Sequence, residues 1–357
     1  MRASYVLPLR SAQPLADPAF ATYLRWLAGR AEVLVIDGSA PEIFAAHAAR
    51  WGSFVRHLPV DADLVTPMGK VGGVLTGIRH ARHERVIVAD DDVRYDEHAL
   101  TAIIAALDEC EVVRPQNYFD PLPWHARWDT GRTLLNRAYG GDWPGTLAVR
   151  RSALLATGGY DGRALFENLE LVRTVVAAGG RERLAQDILV RRIPSTTQHF
   201  MGQRVRQAYD EFARPGRLVF QLAVLPAVLG LAAGKKWKTL GSVVLGAVLV
   251  AEAGRRRDGG TRVFPASASL LAPFWLTVER GVCSWLAVAM RLRWGGVRYR
   301  DSVLPLAATP MSALRRRHAG KLSSTSTSMG LNEPLLDNSA EQAVTPTTMG
   351  ISARSSR

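Results

Sequence analysis

The stretch "RVIVADDDVRY", residues 85–95, runs four apolar residues straight into three adjacent aspartates, Asp90, Asp91 and Asp92. A short apolar run of this kind reads as a buried strand. Three neighbouring carboxylates repel one another, so a strand end that carries them calls for a cation or a proton. Alternate side chains share one side of an extended backbone, so Asp90 and Asp92 are expected to project together and Asp91 elsewhere.

Upstream, "SYVLPLR" (4–10), "EVLVIDGSA" (32–40) and "SFVRHLPV" (53–60) read as further strands. Between them lie two helical stretches, "DPAFATYLRWLAGRA" (17–31) and the glycine-rich "GKVGGVLTGIRHARHE" (69–84). Alternation of strand and helix predicts an α/β fold with a mainly parallel sheet, which binds ligands at the carboxyl ends of its strands. Asp37 and the triple aspartate both fall at such ends.

The second half has a different character. Of a net charge of +13 over 357 residues, the excess sits at 201–321, which holds 20 Lys and Arg against 6 Asp and Glu. The same region carries the apolar runs 218–233, 240–253 and 264–278, bracketed by "KKWK" (235–238), "RRR" (255–257) and "RLRWGGVRYR" (291–300). Apolar segments flanked by basic clusters predict contact with a membrane of anionic headgroups. A nucleic-acid groove would need no such apolar runs, so nucleic acid is not expected as a partner. The runs are shorter than the roughly 20 residues that span a bilayer, which leaves crossing, re-entrant and interfacial arrangements open. Cys110 and Cys283 have no metal or redox spacing. The first residues lack the apolar core of a signal peptide, so the N-terminal part is expected to fold where it is made, facing the cytoplasm from the cell membrane.

Taken together these motifs resemble the family 2 nucleotide-sugar glycosyltransferases of GT-A fold, over roughly residues 4–214. "VIDGSA" resembles the family's "VDDGS", with Ile36 in place of one aspartate, and "GKVGGVLTGIRHA" resembles "GKxxALNxGLxxA". "ADDDV" stands where the family has its metal-binding "DxD". The resemblance implies that Asp37, Gly69, Lys70, Asp90 and Asp92 hold the nucleotide sugar. It also implies that Asp90 and Asp92 ligate Mg²⁺ or Mn²⁺, which offsets charge on the departing diphosphate.

Farther on, "WPGTLAVRRSALLATGGYDG" (143–162) resembles the acceptor-side segment, with Arg150 or Arg151 expected near phosphates. "LFENLELVRTVVAAGG" (165–180) resembles "FEDxDLxxRLxxAG", whose acidic pair carries the catalytic base; here Glu167 is followed by Asn168, and an amide cannot accept a proton. Glu167 is therefore the expected base, with Glu170 structural. "HFMGQRVRQAYDEF" (199–212) resembles "QxxRW", with Gln203 and Arg206 in place and Gln207 where tryptophan is usual. Residues 278–301 resemble the tail of lipid-directed members related to ceramide glucosyltransferases, and Glu279 and Arg280 are expected to pair there. Trp124, Trp128 and Trp143 are candidates to flank a sugar, with packing of a loop on the sheet as the alternative.

The expected organisation is a GT-A catalytic domain at 1–214, a membrane-associated helical region at 215–305 and a disordered basic and Ser/Thr-rich tail at 306–357. The expected activity is inverting transfer from a UDP- or GDP-sugar to a membrane lipid or saccharide acceptor. The alternatives are an inactive membrane adaptor, suggested by Ile36, Asn168 and Gln207, and an aspartate-dependent phosphatase, for which later lysine and acidic motifs are missing.

Overall fold

The computed structural model describes residues 2–299 and 302–328. Its main sheet contains β1 (Ala3–Leu9), β2 (Glu32–Asp37), β3 (Arg56–Pro59), β4 (Arg85–Ala89), β5 (Val93–Arg94), β6 (Val112–Phe119), β7 (Thr146–Arg150) and β8 (Glu182–Arg192). The spatial order is β3-β2-β1-β4-β7-β6-β8-β5. Strands β3, β2, β1 and β4 run parallel, as do β6 and β8, whereas β7 is antiparallel to both its neighbours and β5 to β8. The fold is thus α/β with a mainly parallel sheet, as expected.

Buried side chains on both faces account for the near-continuous apolar strands. Tyr5, Leu7, Val33, Val35 and Ile87 pack on one side, and Val6, Leu34, Ile36, Val86 and Val88 on the other. Helices α1 (Pro18–Ala28), α2 (Pro41–Trp51), α3 (Gly69–His80) and α4 (Glu97–Ala106) connect the first strands. Helix α3 lies directly on β1: a Cβ at Gly77 would come within 2.2 Å of Val6 Cγ1, and one at Gly73 within 2.9 Å of Pro8 Cβ. The glycines of this motif thus allow a close approach that sets the first turn of α3, with Lys70, at the carboxyl ends of the strands.

Helices α5 (Trp124–Ala138), α6 (Arg151–Thr157), α7 (Glu167–Ala177), α8 (Thr197–Gly202) and α9 (Arg204–Tyr209) complete this part. The three apolar runs fall on α10 (Pro215–Ala233), α11 (Trp237–Arg256) and α12 (Ala266–Phe274), and a π-helical stretch, Trp275–Arg280, joins α12 to α13 (Gly281–Trp294). Two helical segments, Pro215–Ala233 and Trp237–Arg262, are long and apolar enough to cross a membrane, and only 11% of each is buried. The inner sides of α11 and α12 nevertheless rest on α5. Arg137 Nε and Nη2 donate to the carbonyls of Gly254 (3.0 Å) and Arg257 (2.5 Å), and Ala251, Ala268 and Ala272 pack with Leu134.

The expected tail boundary at 306 needs correction. Leu306 and Ala307 accept hydrogen bonds from Leu165 and Phe166, and Glu170 Oε2 accepts one from Thr309 N at 2.6 Å. Leu314 is fully buried on helix α14 (Met311–Ser328). The segment lacks a long apolar period because it docks through a few backbone groups and small side chains. The remainder of the expected tail, 329–357, lies outside the described residues.

Candidate active site

The turn after β4 carries the three aspartates. Asp90 N donates to Gly145 O at 2.9 Å and Val93 N to Asp90 O at 3.2 Å, which fixes the turn. Lys70 Nζ lies 2.5 Å from Asp90 Oδ1 and 2.6 Å from Glu167 Oε1, tying α3 to the start of α7. Burial opposes the lysine charge, but the two carboxylates outweigh it and raise its pKa. The β5–β8 register sets Arg192 opposite Val93. Its Nε accordingly donates to Asp92 Oδ2 at 2.8 Å, with Nη2 3.7 Å from Asp90 Oδ2. Asp92 Oδ1 is buried with no hydrogen-bond partner among the described residues. Gly145 fits only without a side chain, since a Cβ there would lie 2.8 Å from Asp90 Oδ2 and 3.2 Å from Arg192 Cζ.

These groups form one wall of a cleft of about 380 Å³. The other wall comes from α5, the α8–α10 segment and Arg280, and arginines dominate it. Arg204 Nη1 bridges Asp129 and Glu279 at 3.2 Å each, and Arg132 pairs with Asp129 (2.9 Å) and Asp142 (2.6 Å). Glu211 Oε1 pairs with Arg214 (3.1 Å) and Arg217 (3.2 Å). Arg206 donates to Gln203 Oε1 at 3.1 Å. Asp210 faces the cleft with Oδ1 unpartnered, and burial, resisted by Arg206, pushes its carboxyl up to about 7.

Lys70, Asp90, Asp92, Glu167, Asn168, Gln203 and Arg206, drawn from four separate motifs, all line this cleft. Gly69 lies beside it, in an adjoining cavity of about 290 Å³ with Pro8, Gly38 and Asp91, so Asp91 does turn away from its neighbours. Asp37 does not reach either cavity. Its carboxylate is buried, with Oδ2 2.7 Å from His47 Nδ1 and 3.0 Å from His57 Nε2, and Oδ1 accepts from Ser39 N. Those hydrogen bonds, from His57 first, overcome the cost of burial and lower its pKa. This Asp–His–His group has the proximity of a metal site. Leu15 N donates to His47 Nε2, however, which leaves Nδ1 as the protonated donor to Asp37. Asp37 and His47 are satisfied by hydrogen bonds, and His57 Nδ1 is left without a partner among the described residues.

Four further expectations change. Asn168 Nδ2 donates to Pro144 O at 2.9 Å, so the amide at this position anchors the loop before β7, a bond that a carboxylate cannot make. Arg150 and Arg151 donate to carbonyls of Leu107 and Ile78 at the opposite end of the central strands, because β7 is antiparallel and its carboxyl end meets the start of β4. Trp128 Nε1 donates to Glu279 Oε2 at 2.6 Å and does not line the cleft, whereas Trp143 does. Glu279 is thereby committed to Trp128 and Arg204, and its expected partner Arg280 is left over. Arg192, Asp210 and Arg280 were not singled out as site residues from sequence. The signals available were an arginine ending the apolar strand "ILVRR" and one interrupting an apolar helix.

No protein-family profile matches the chain, and no curated protein sequence matches it. Solved structures similar to it include a mannosyltransferase from Pyrobaculum calidifontis in complex with GDP-Man and Mn²⁺. That likeness has 16% identity and a TM-score of 0.42, and covers 93% of this chain and 81% of the other. Another is mannosyl-3-phosphoglycerate synthase from Rubrobacter xylanophilus, at 14% identity and a TM-score of 0.37, over 56% of this chain and 69% of the other. Likeness at this level does not specify an activity.

Proposed function

We propose that the chain is a membrane-associated inverting glycosyltransferase of the GT-A, family 2 type, which moves a hexose from a nucleoside-diphosphate sugar to a membrane-borne acceptor. The observation that carries this reading is the convergence of Lys70, Asp90, Asp92, Glu167, Gln203 and Arg206 on one cleft at the carboxyl end of β4. The adjoining cavity by Pro8, Gly38 and Gly69 is the place for the nucleoside.

The donor set suits a hard divalent cation. Asp90 and Asp92 offer only oxygens, and Asp92 Oδ1 is a buried acceptor in want of a partner. Mg²⁺ or Mn²⁺ held by these two residues would supply Lewis-acid neutralisation of the leaving diphosphate. Lys70 and Arg192 pair with the two aspartates and are themselves cations beside the diphosphate's path. Asn168, through Pro144, fixes the loop that carries Gly145 against Asp90. Gln203 orients Arg206 toward the same space.

The exposed apolar residues of α10 to α13, among them Phe220, Leu229, Leu249, Phe274 and Trp285, support insertion of this region into a membrane with the catalytic part on the cytoplasmic side. In this reading the catalytic unit ends near residue 214 and residues 215–305 hold it at the lipid. Incubating membranes that contain the protein with labelled nucleotide sugars and Mg²⁺ or Mn²⁺, then extracting lipids, tests the assignment. Transfer is expected with one donor, and to vanish in Asp92→Asn while the fold persists. Undiminished transfer by that variant would remove the metal site. Metal-dependent nucleotide binding without turnover of any donor would favour an adaptor, and phosphate-ester hydrolysis without nucleotide binding a phosphatase.

A further inference from the structure

Arg280 is 4% exposed, and its Nε and Nη1 are buried without any hydrogen-bond partner among the described residues. Its guanidinium packs 5.0 Å from the ring centre of Trp275 and faces the cleft. Of the neighbouring carboxylates, Glu279 holds Arg204 and Trp128, Glu211 Oε1 holds Arg214 and Arg217, and Asp210 Oδ1 is unpartnered. Glu211 Oε2 is also unpartnered, but its charge is matched by two arginines. Arg214 Nε is a further buried donor with no partner among the described residues. A buried cation left unpaired is costly, so this wall is built to be completed by an anion. Arg280 also ends a π-helical turn, a distortion frequent at functional sites.

The position of this cation tells which anion. The donor's diphosphate has Lys70 and Arg192 on the sheet wall. Arg280 belongs to the apolar helices, whose outward residues Phe274, Val278 and Val282 are exposed to any surrounding lipid. The position where the family motif carries its base is engaged: Glu167 is bound to Lys70, and Asn168 is an amide donor. A hydroxyl acceptor needs its proton removed, whereas a phosphate monoester is already ionised at neutral pH.

We infer that the acceptor is a phosphate-bearing lipid whose headgroup is bound by Arg280 and Arg214; this rests on the glycosyl-transfer reading above. In the step, an ionised phosphate oxygen forms the bond to the anomeric carbon. The bond from that carbon to the donor's diphosphate breaks, its electron pair leaves with the nucleoside diphosphate, and no proton moves.

Binding by the full-length protein in detergent micelles tests this, with dodecyl phosphate, dodecanol, inorganic phosphate, and UDP or GDP plus Mn²⁺ as probes. Dodecyl phosphate is expected to bind at least about tenfold tighter than dodecanol or inorganic phosphate, the gap that one charge-assisted hydrogen bond supports. Arg280→Gln should weaken it by about 30-fold or more, and Arg280→Lys by less, with nucleotide binding unchanged in both. The ligand-free melting temperature of Arg280→Gln should not fall clearly, because no hydrogen bond or ion pair is broken and only the contact with the Trp275 ring is lost; a clear fall would mark a structural arginine and overturn the proposal. Equal binding of dodecanol would overturn it, and equal binding of inorganic phosphate would overturn the lipid assignment. Loss of nucleotide binding in Arg280→Gln would move the residue to the donor. Failure of the unaltered protein to bind any nucleotide, with dodecyl phosphate still bound, would remove the glycosyl-transfer reading and the acceptor role with it.

Discussion

Gly145→Ala isolates the wall proposed to hold metal and donor, without touching a charged group. The backbone of Gly145 is pinned on both sides, by its N–H to Asn117 Oδ1 at 2.7 Å and its carbonyl to Asp90 N at 2.9 Å, so it cannot retreat. Its φ is not among the positive values, and alanine is tolerated locally. The new Cβ would start 2.8 Å from Asp90 Oδ2, and ordinary contact begins at 3.4 Å, so the carboxylate has to move by about 0.6 Å. Ligand distances at a metal site are held within about 0.2 Å, so that shift costs one ligand its geometry. A comparable disturbance of a ligand's support lowers metal affinity about 10- to 100-fold. Titration calorimetry of GDP or UDP binding at fixed nucleotide and varied Mn²⁺ reads this directly, with far-UV dichroism and melting temperature as controls for folding. Unchanged Mn²⁺-dependent affinity in a folded Gly145→Ala protein would refute the placement of the cation at Asp90 and Asp92.

Glu167→Gln is expected to leave turnover within about tenfold, because it only releases Lys70. A fall of about 10²- to 10⁴-fold in kcat with donor binding intact would make Glu167 the general base and rule out an ionised acceptor. Asn168→Asp is expected to lower activity, since a carboxylate would face Pro144 O; a gain would revive the missing-base reading. Asp210 has a folded pKa of about 7 against an ordinary 3.8, so the folded state binds the extra proton between those values. Its contribution to stability is therefore full below about pH 4, declines as pH rises to about 7 and is flat above. Asp210→Asn should melt at higher temperature than the unaltered protein at pH 8 and the same at pH 4. Truncation after Pro215 is expected to yield aggregated chain instead of a soluble domain, because it strips the partners of Arg137 and Leu134; a monodisperse product by size-exclusion chromatography would contradict the packing of α11 and α12 on α5.

The sequence by itself determined what local pattern and residue chemistry can carry. Apolar runs punctuated by charge defined the strands, the glycine spacing of 69–77 defined a helix pressed on a strand, and the carboxylates after β4 marked one wall of the cleft. The apolar, base-flanked segments of the second half were equally legible, because hydrophobic length does not depend on partners. Tertiary structure decided everything that depends on which groups meet. Asp37 reads as a strand-end ligand until the fold supplies His47 and His57, brought from α2 and β3, to consume it. Arg150 reads as a phosphate contact until β7 proves antiparallel and carries it to the far end of the strands, beside the start of β4. Glu279 and Arg280 are neighbours in sequence, yet successive residues of a helix diverge by about 100°, so Glu279 meets Arg204 and Arg280 is left to face the cleft. Ion pairing is a matter of a few ångströms between segments distant in the chain, and no periodicity encodes it.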